Sequence, residues 1–192
     1  MLYALSDKVK RMSSTKSLLL LALFFTIMYM LVNGQPFGVA EFNERFGGLT
    51  PLDLQDNYTA DDVCAFMEKL GEAGRLFYAK MILMLDFAFP LSYMLFWSAA
   101  IYFLLSRFLP CGSKLMYISL FPFVAGIADY LENILILCML FSYPKVIKMI
   151  VVFSNLMTNV KDLFMWISLL LLLFGLLLYL VKLVAKAVSK RN

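Results

Sequence analysis

The stretch LMYISLFPFVAGIADYLENILILCMLF, residues 115–141, decides the fold. It is almost wholly apolar and exceeds the roughly 20 residues that a helix needs to cross a bilayer. Three polar side chains interrupt it, and the i, i+3, i+4 spacing of Asp129, Glu132 and Asn133 puts them on one face of a helix. A charged side chain in hydrocarbon costs roughly 3 kcal/mol. This face is therefore predicted to turn away from lipid and into a protein interior.

Three further apolar stretches are long enough to span a membrane, and they cover about residues 17–33, 78–105 and 151–184. The chain of 192 residues is 62% hydrophobic and 16% charged. A soluble domain carries about 45–50% apolar residues, so the excess is expected to face lipid. The first stretch resembles a signal sequence, and we expect it to be a retained anchor. The sequence predicts an all-α, integral membrane four-helix bundle that forms a single domain over residues 1–192.

Basic residues predict the orientation of these helices, because they collect on the cytoplasmic side of a membrane. They precede the first helix, connect the second to the third and follow the fourth: Lys8, Lys10, Arg11, Lys16, Arg107, Lys114, Lys182, Lys186, Lys190 and Arg191. Both termini are therefore predicted to be cytoplasmic, although Lys145 and Lys148 fall on the outer side. The net charge of +4 reflects these flanks, and we expect no nucleic-acid partner.

Residues 34–77 are net acidic and are predicted to form an extracytoplasmic segment between the first two helices. Within this segment, Thr59-Ala-Asp-Asp62 is typical of a helix start, since the hydroxyl caps backbone N–H groups. Apolar residues then repeat at i, i+3, i+4 and i+7. This pattern predicts an amphipathic helix over about residues 60–70, ended by Gly71 and Gly74, that packs on the mouth of the bundle. Such a lid either packs without chemistry or gates a site.

Charged groups in the second and fourth helices fall at a depth similar to that of the acids in the third. At the helical rise per residue, Asp86 lies roughly 12 Å and Lys161 roughly 15 Å from the outer ends of their predicted helices. The corresponding depths are roughly 14 Å for Glu132 and roughly 18 Å for Asp129. Pro90 cannot donate a hydrogen bond to the carbonyl of Asp86, which predicts a kink and a free carbonyl beside a carboxylate.

These groups are predicted to converge in one ligand- or ion-binding pocket, made of Asp86, Tyr93, Asp129, Glu132, Asn133 and Lys161. Lys161 neutralises one acid, and its neighbour Asp162 is expected to point elsewhere, because adjacent helical residues diverge. The alternative is a fourth helix that starts near Leu163, which leaves Lys161 at the membrane surface. Three acids against one lysine require either a protonated carboxyl or a bound cation, so the pocket is expected to be proton-sensitive.

Several kinds of chemistry are excluded by the sequence. Histidine is absent, which rules out histidine-ligated haem and histidine-based zinc sites. The sequence contains no P-loop, no GxGxxG and no CxxC pair. The cysteines, Cys64, Cys111 and Cys138, fall in separate segments, and we expect no disulfide and no metal site. We also expect no cofactor.

This plan of four helices, with an outer segment after the first and carboxylates near a proline in the second, resembles that of EXPERA-type membrane proteins. The likeness rests on Asp86, Pro90, Asp129 and Glu132 within residues 17–184. It implies an acid-lined intramembrane pocket that binds sterols and amphiphilic cationic amines. The histidine found in the sites of some members is absent here.

The leading functional hypothesis is a binding protein whose intramembrane pocket takes a small lipid-like or cationic ligand, with membrane lipid as its surroundings. The first alternative is a proton- or cation-coupled transporter or channel, which with only four helices is expected to be a homo-oligomer. The second is an accessory subunit whose acids pair with a basic helix of a membrane partner. An enzyme acting on a lipid is the hypothesis we favour least.

Overall fold

A computed structural model describes residues 2–55, 57–110 and 112–189 of the chain. Every regular element among these residues is helical, which confirms the predicted all-α class. The α-helices are, in chain order, α1 Leu2–Met12, α2 Thr15–Asn33, α3 Val39–Arg45, α4 Ala60–Met81, α5 Phe89–Leu105, α6 Phe121–Ser142 and α7 Lys148–Ser189. Between them lie 3₁₀-helices at Leu52–Leu54 and Lys114–Leu120 and a π-helical turn at Ile82–Asp86.

Four helical stretches are long and apolar enough to cross a membrane: Thr15–Asn33, Ala60–Leu105, Lys114–Ser142 and Lys148–Ser189. They match the four predicted stretches, with two differences. The second stretch begins at Ala60, because the predicted amphipathic helix runs directly into the apolar helix without a loop. The fourth begins at Lys148, so Lys161 lies well inside a continuous helix and not at its start.

Gly71 divides α4 into its amphipathic and apolar parts. Its φ of 66° lies in the left-handed region that side chains disfavour, and its backbone is not helical. At the start of α4, Thr59 Oγ1 accepts a hydrogen bond from the Asp62 N–H at 3.2 Å, and Asp62 Oδ2 accepts one from the Thr59 N–H at 2.8 Å. The predicted Thr59 cap is therefore present, and the Asp62 carboxylate completes a capping box. Gly74, which was expected to end the helix, instead lies within it.

The helix α6 is the centre of the bundle. It packs against α7 on one side and α5 on the other, and α2 packs against α5. The helices α5 and α6 approach closely at Gly126, where the side chain of Met94 fills the space that a Cβ would take, 2.1 Å from its sulfur. The face of α6 that carries Asp129, Glu132 and Asn133 is buried, as the spacing of these residues predicts.

Residues 34–55 and 57–58, called here the 34–58 segment, cover one end of the bundle. Phe42 and Leu52 are fully buried, and with Tyr58 they join Ile136 and Met139 of α6 in one hydrophobic cluster. The two short helices of this segment were not predicted from the sequence. A helix of one or two turns is not stable in isolation, so these elements depend on burial against the bundle and leave no periodic pattern to detect.

Basic residues meet at the opposite end. The helix α1, which the sequence analysis treated only as a basic flank, packs on α5 and on Lys114–Leu120. Lys182 Nζ of α7 donates a hydrogen bond to the carbonyl of Arg107 at 2.6 Å. The connection between α5 and α6 is therefore fastened to the last turns of α7.

Two of the three cysteines, Cys64 and Cys138, are free thiols. Four residues that entered the predictions lie outside the described residues: Asp56, Cys111, Lys190 and Arg191.

Candidate functional site

The site begins at a break in the helix that carries Asp86. Proline has no N–H, so Pro90 leaves the Asp86 carbonyl without its usual partner. A π-helical turn is present just before this position, over Ile82–Asp86, and the Phe87 N–H donates a hydrogen bond to the Ile82 carbonyl at 3.2 Å. The predicted kink is thus a widened turn. The Asp86 carbonyl is not free, because Asn133 Nδ2 donates to it at 3.1 Å.

Asn133 joins this break to the first of the acids in α6. Its Nδ2 also donates to Asp129 Oδ1 at 3.3 Å, and Tyr93 of α5 donates its phenol hydrogen to Asp129 Oδ2 at 2.9 Å. Both oxygens of Asp129 therefore have donors. The π-helical turn, α5 and α6 are held together by polar groups that lipid would leave unsatisfied.

Glu132, one turn further along α6, has one ion pair and one hydrogen bond within the chain. It is wholly buried, and its Oε2 lies 2.6 Å from Lys161 Nζ of α7. The hydroxyl of Thr158 donates to Glu132 Oε1 at 2.5 Å. Lys161 has a side chain that is only 12% exposed, so it occupies the interior and not the membrane surface. Its charge is therefore balanced by the ion pair on Oε2, and its Oε1 has a hydrogen-bond donor.

Asp53 connects the 34–58 segment to the same cluster. Lys161 Nζ donates to the Asp53 carbonyl at 3.1 Å, and Tyr78 of α4 donates to Asp53 Oδ1 at 2.5 Å. Asp53 was not predicted as a site residue, because in the sequence it is one of several acids in an acidic outer segment. No spacing or motif around it could have singled it out, because its partners come from α4 and α7.

Tyr58 ties the segment to α7 a second time. Its hydroxyl donates to Ser154 Oγ at 2.7 Å, and its carbonyl accepts from Asn155 Nδ2 at 2.7 Å. Burial raises the pKa of Tyr58 to about 12, so the phenol keeps its proton near neutral pH. Two hydrogen-bonded contacts, at Asp53 and Tyr58, therefore hold this segment over the site.

A cavity of about 520 Å³ opens next to the cluster, between α2 and α7 and over one face of α5. Its acidic wall is formed by Asp53, Asp86, Asp129 and Asp162, and Lys161 is the one cationic side chain among the described residues that line it. Its aromatic wall is formed by Tyr29, Phe89, Tyr93, Trp97 and Trp166. The cavity has the size and the largely apolar lining of a small-molecule site.

Asp86 differs from the other acids of the cluster. The residue is only 7% exposed, and its Oδ2 is buried with no hydrogen-bond partner among the described residues. It also lines the cavity. A buried carboxylate oxygen without a donor is energetically costly and is rare in folded proteins.

The six predicted site residues are brought together, but they do not all line the cavity. Asp86, Tyr93, Asp129 and Lys161 lie on its wall. Glu132 and Asn133 lie behind that wall and reach it through Lys161 and Asp129. Asp162, which was expected to point elsewhere, also lines the cavity, because the opening is wide enough to receive adjacent positions of α7.

The chain matches no protein-family model, no curated protein and no solved structure. No group of three or more cysteine, aspartate or glutamate side chains is arranged to hold a metal ion within the described part of the chain. Inference about function therefore starts from the cavity itself.

Proposed function

We propose that this chain is a multi-pass membrane protein with four spanning helices and both termini in the cytoplasm. The length and apolar character of the four helical stretches support this proposal. The orientation is supported by the basic end of the bundle, where Lys182 of α7 contacts the connection that carries Arg107. The 34–58 segment, with Asp53 facing the cavity, then lies at the outer end.

We further propose that the cavity binds a small lipid-like ligand that carries a positive charge, with Asp86 as its anchoring anion. The single observation that carries this proposal is Asp86, which lines the cavity and whose buried Oδ2 has no donor among the described residues. An ammonium group supplies both the missing donor and the missing charge. A carboxylate kept unpaired in a low-dielectric interior is a strong attractor for such a group.

The rest of the lining favours a cation over an anion. The one lysine on the wall is already paired with Glu132, so its charge is not available to an anionic ligand. The remaining charged groups on the wall are carboxylates. Trp97 and Trp166 offer aromatic faces, and an organic cation over an aromatic face gains about 0.5–2 kcal/mol.

The pairing of the acids also bears on the alternative of an accessory subunit. Asp129 has donors on both of its oxygens, and Glu132 has a donor on one oxygen and the Lys161 cation on the other, all within the chain. They have no need of a basic helix from a partner. Asp86 is the acid of these three that has no ion pair and no donor on one oxygen, and it lines a cavity. A cavity suits a small ligand better than a helix.

Binding to protein in lipid nanodiscs tests this proposal. The probe is hexyltrimethylammonium, and hexanesulfonate, which has the same tail and the opposite charge, is its control. We expect the cation to bind, the anion not to bind, and Asp86→Asn to weaken cation binding at least tenfold. Asp61→Asn, at an exposed acid on α4, is the matched variant and should leave binding unchanged. Equal binding of the cation to the wild type and to Asp86→Asn would refute an anchoring role for Asp86.

A further inference from the structure

The acid-lined cavity has an apolar continuation along the same three helices. A second cavity, of about 300 Å³, lies between α2, α5 and α7 and is lined by Leu18, Phe96, Ala100, Leu104, Leu172 and Leu176, among other residues. We call it the apolar groove. We propose that the groove holds the alkyl chain of the ligand whose cationic head binds at Asp86, so that the ligand is a single-chain cationic amphiphile. This inference rests on the proposed function and adds to it the shape of the ligand.

The two cavities are neighbours on α5 and on α7, whereas on α2 their nearest lining residues, Tyr29 and Leu18, are eleven positions apart. On α5, Trp97 lines the acidic cavity and the adjacent Phe96 lines the groove. On α7, Leu169 lines the acidic cavity and Leu172, about one turn away, lines the groove. From Asp86 to Leu104 the helical rise amounts to about 27 Å, which is of the order of one bilayer core. The cleft therefore runs lengthwise, from a charged end to an apolar end.

The side chain of Phe25 lies where the two cavities meet. Its ring centroid is 5.5 Å from that of Phe96, in the groove, and 6.2 Å from that of Trp97, in the acidic cavity. Phe25 is partly exposed, and it projects from α2 onto α5. A thin and flexible chain can pass such a ring by a rotamer change, whereas a rigid polycyclic body would need the helices to separate. The junction therefore favours a single alkyl chain as the occupant.

The chemistry of the groove also points to an alkyl chain. All of its described lining residues are apolar, and its surface is almost entirely carbon. Water or an ion in such a groove would lack hydrogen-bond partners, so it does not extend the acidic cavity as an aqueous path. An alkyl chain fills it without any unsatisfied group, and charge complementarity at Asp86 fixes the other end of the same molecule.

Two probes of different length test the inference on the full chain in nanodiscs. Hexyltrimethylammonium reaches the acidic cavity alone, and dodecyltrimethylammonium, used below its micellar concentration, also reaches the groove. Ala100→Phe places a ring in the groove, and Val124→Phe, on an exposed face of α6, is the matched control. Partitioning of each probe into the bilayer is the same for all variants, so ratios between variants report the groove itself.

We expect Ala100→Phe to weaken dodecyltrimethylammonium at least tenfold while hexyltrimethylammonium changes less than twofold. Val124→Phe should change neither probe, and Asp86→Asn should weaken both. If Asp86→Asn weakens both probes while Ala100→Phe weakens neither, the head site stands and the groove assignment is overturned. If Asp86→Asn has no effect, the proposed function itself has failed.

A labelling experiment covers the case in which Ala100→Phe does not fold. A dodecyltrimethylammonium analogue with a photoreactive diazirine at the end of its chain should label the wild type at the groove residues nearest the acidic cavity, such as Phe96 and Leu172. Excess hexyltrimethylammonium, which competes only for the head site, should suppress that label. Labelling that spreads over lipid-facing surfaces, or groove labelling that hexyltrimethylammonium does not suppress, would overturn the inference, the second result by showing that bulk lipid fills the groove.

Discussion

The surroundings of Glu132 and of Asp86 differ, although both are buried acids of one cluster. Glu132 is wholly enclosed and has Lys161 on one oxygen and Thr158 on the other. Asp86 is nearly as buried and lines a cavity, yet its Oδ2 has no donor among the described residues. The first acid contributes to the folded state through partners within the chain, whereas the second carries an unsatisfied group. The contrast separates an acid that builds the bundle from an acid that is available to a ligand.

Removal of Lys161 should produce the largest effect on stability. Lys161→Met leaves Glu132 buried without its cation, and loss of one partner of a buried pair costs about 3–5 kcal/mol. The free energy of unfolding, measured by denaturant titration in mixed micelles, should fall by that amount. Lys148→Met, at the exposed start of α7, is the control and should change it little.

The double variant Lys161→Met with Glu132→Gln sharpens this test. It removes the charge that the single variant exposes, so most of the lost stability should return. If Lys161→Met is no less stable than Lys148→Met, the ion pair of Glu132 does not stabilise the fold. Glu132 and Asp86 would then not differ in their contribution to stability.

Tyr93→Phe probes the acid between these two extremes. It removes the donor to Asp129 Oδ2 and should lower the free energy of unfolding by about 1–3 kcal/mol, the usual cost of an orphaned buried polar atom. Tyr179→Phe, near the opposite end of the bundle, is the matched loss of a phenol hydroxyl. Equal behaviour of the two variants would show that Asp129 does not need Tyr93.

The contact of Tyr58 with Ser154 should be worth about 1 kcal/mol, and a double-mutant cycle of Tyr58→Phe and Ser154→Ala measures it. The pKa of Tyr58 rises from its ordinary value of 10.0 to about 12 on folding, so the protonated phenol is the form that the folded state favours. Its contribution should therefore be constant below pH 10 and decline as the pH rises from about 10 towards 12. A coupling energy near zero at pH 7 would show that the hydrogen bond from Tyr58 to Ser154 does not help to hold the 34–58 segment on the bundle.

The smallest expected change in stability is the one at Asp86, and it has the opposite sign. Asp86→Asn replaces a buried carboxyl group that has no donor on Oδ2, so the free energy of unfolding should stay the same or rise by up to about 1 kcal/mol. Glu132→Gln, an equally conservative exchange, should lower it because Lys161 is then unpaired. An equal decrease in the free energy of unfolding of both variants would mean that Asp86 and Glu132 contribute equally to stability.

Much of the candidate site could be predicted from sequence, because polar residues in apolar helices are stable only where other protein groups surround them. The i, i+3, i+4 spacing of Asp129, Glu132 and Asn133 requires one shared face, and that face is buried in the fold. Depth along the helices also predicted that Asp86 and Lys161 lie near these residues. Which of these acids are paired and which is unpaired was not predictable, because pairing depends on distances between helices.

Other parts of the site left no signal in the sequence. Asp53 reaches Lys161 and Tyr78 only because the 34–58 segment folds back over the bundle. The carbonyl of Asp86 was predicted to be free, and the reason it is not free is an amide on another helix, at Asn133. Side chains that satisfy a group from a distant element cannot be inferred from spacing within one element.

By itself the sequence determined the all-helical class, the four long apolar helices and the polar face of α6, because these follow from local periodicity and from the cost of charge in an apolar environment. Only the tertiary structure decided that Glu132 is paired, that Asp86 lacks a donor on one oxygen, and that a cavity separates α2 from α7 beside it. The physical reason is the separation along the chain of the residues that interact. Helix formation and burial are set by neighbours along the chain, whereas pairing and cavities are set by ångström-scale distances between elements that the chain order does not specify.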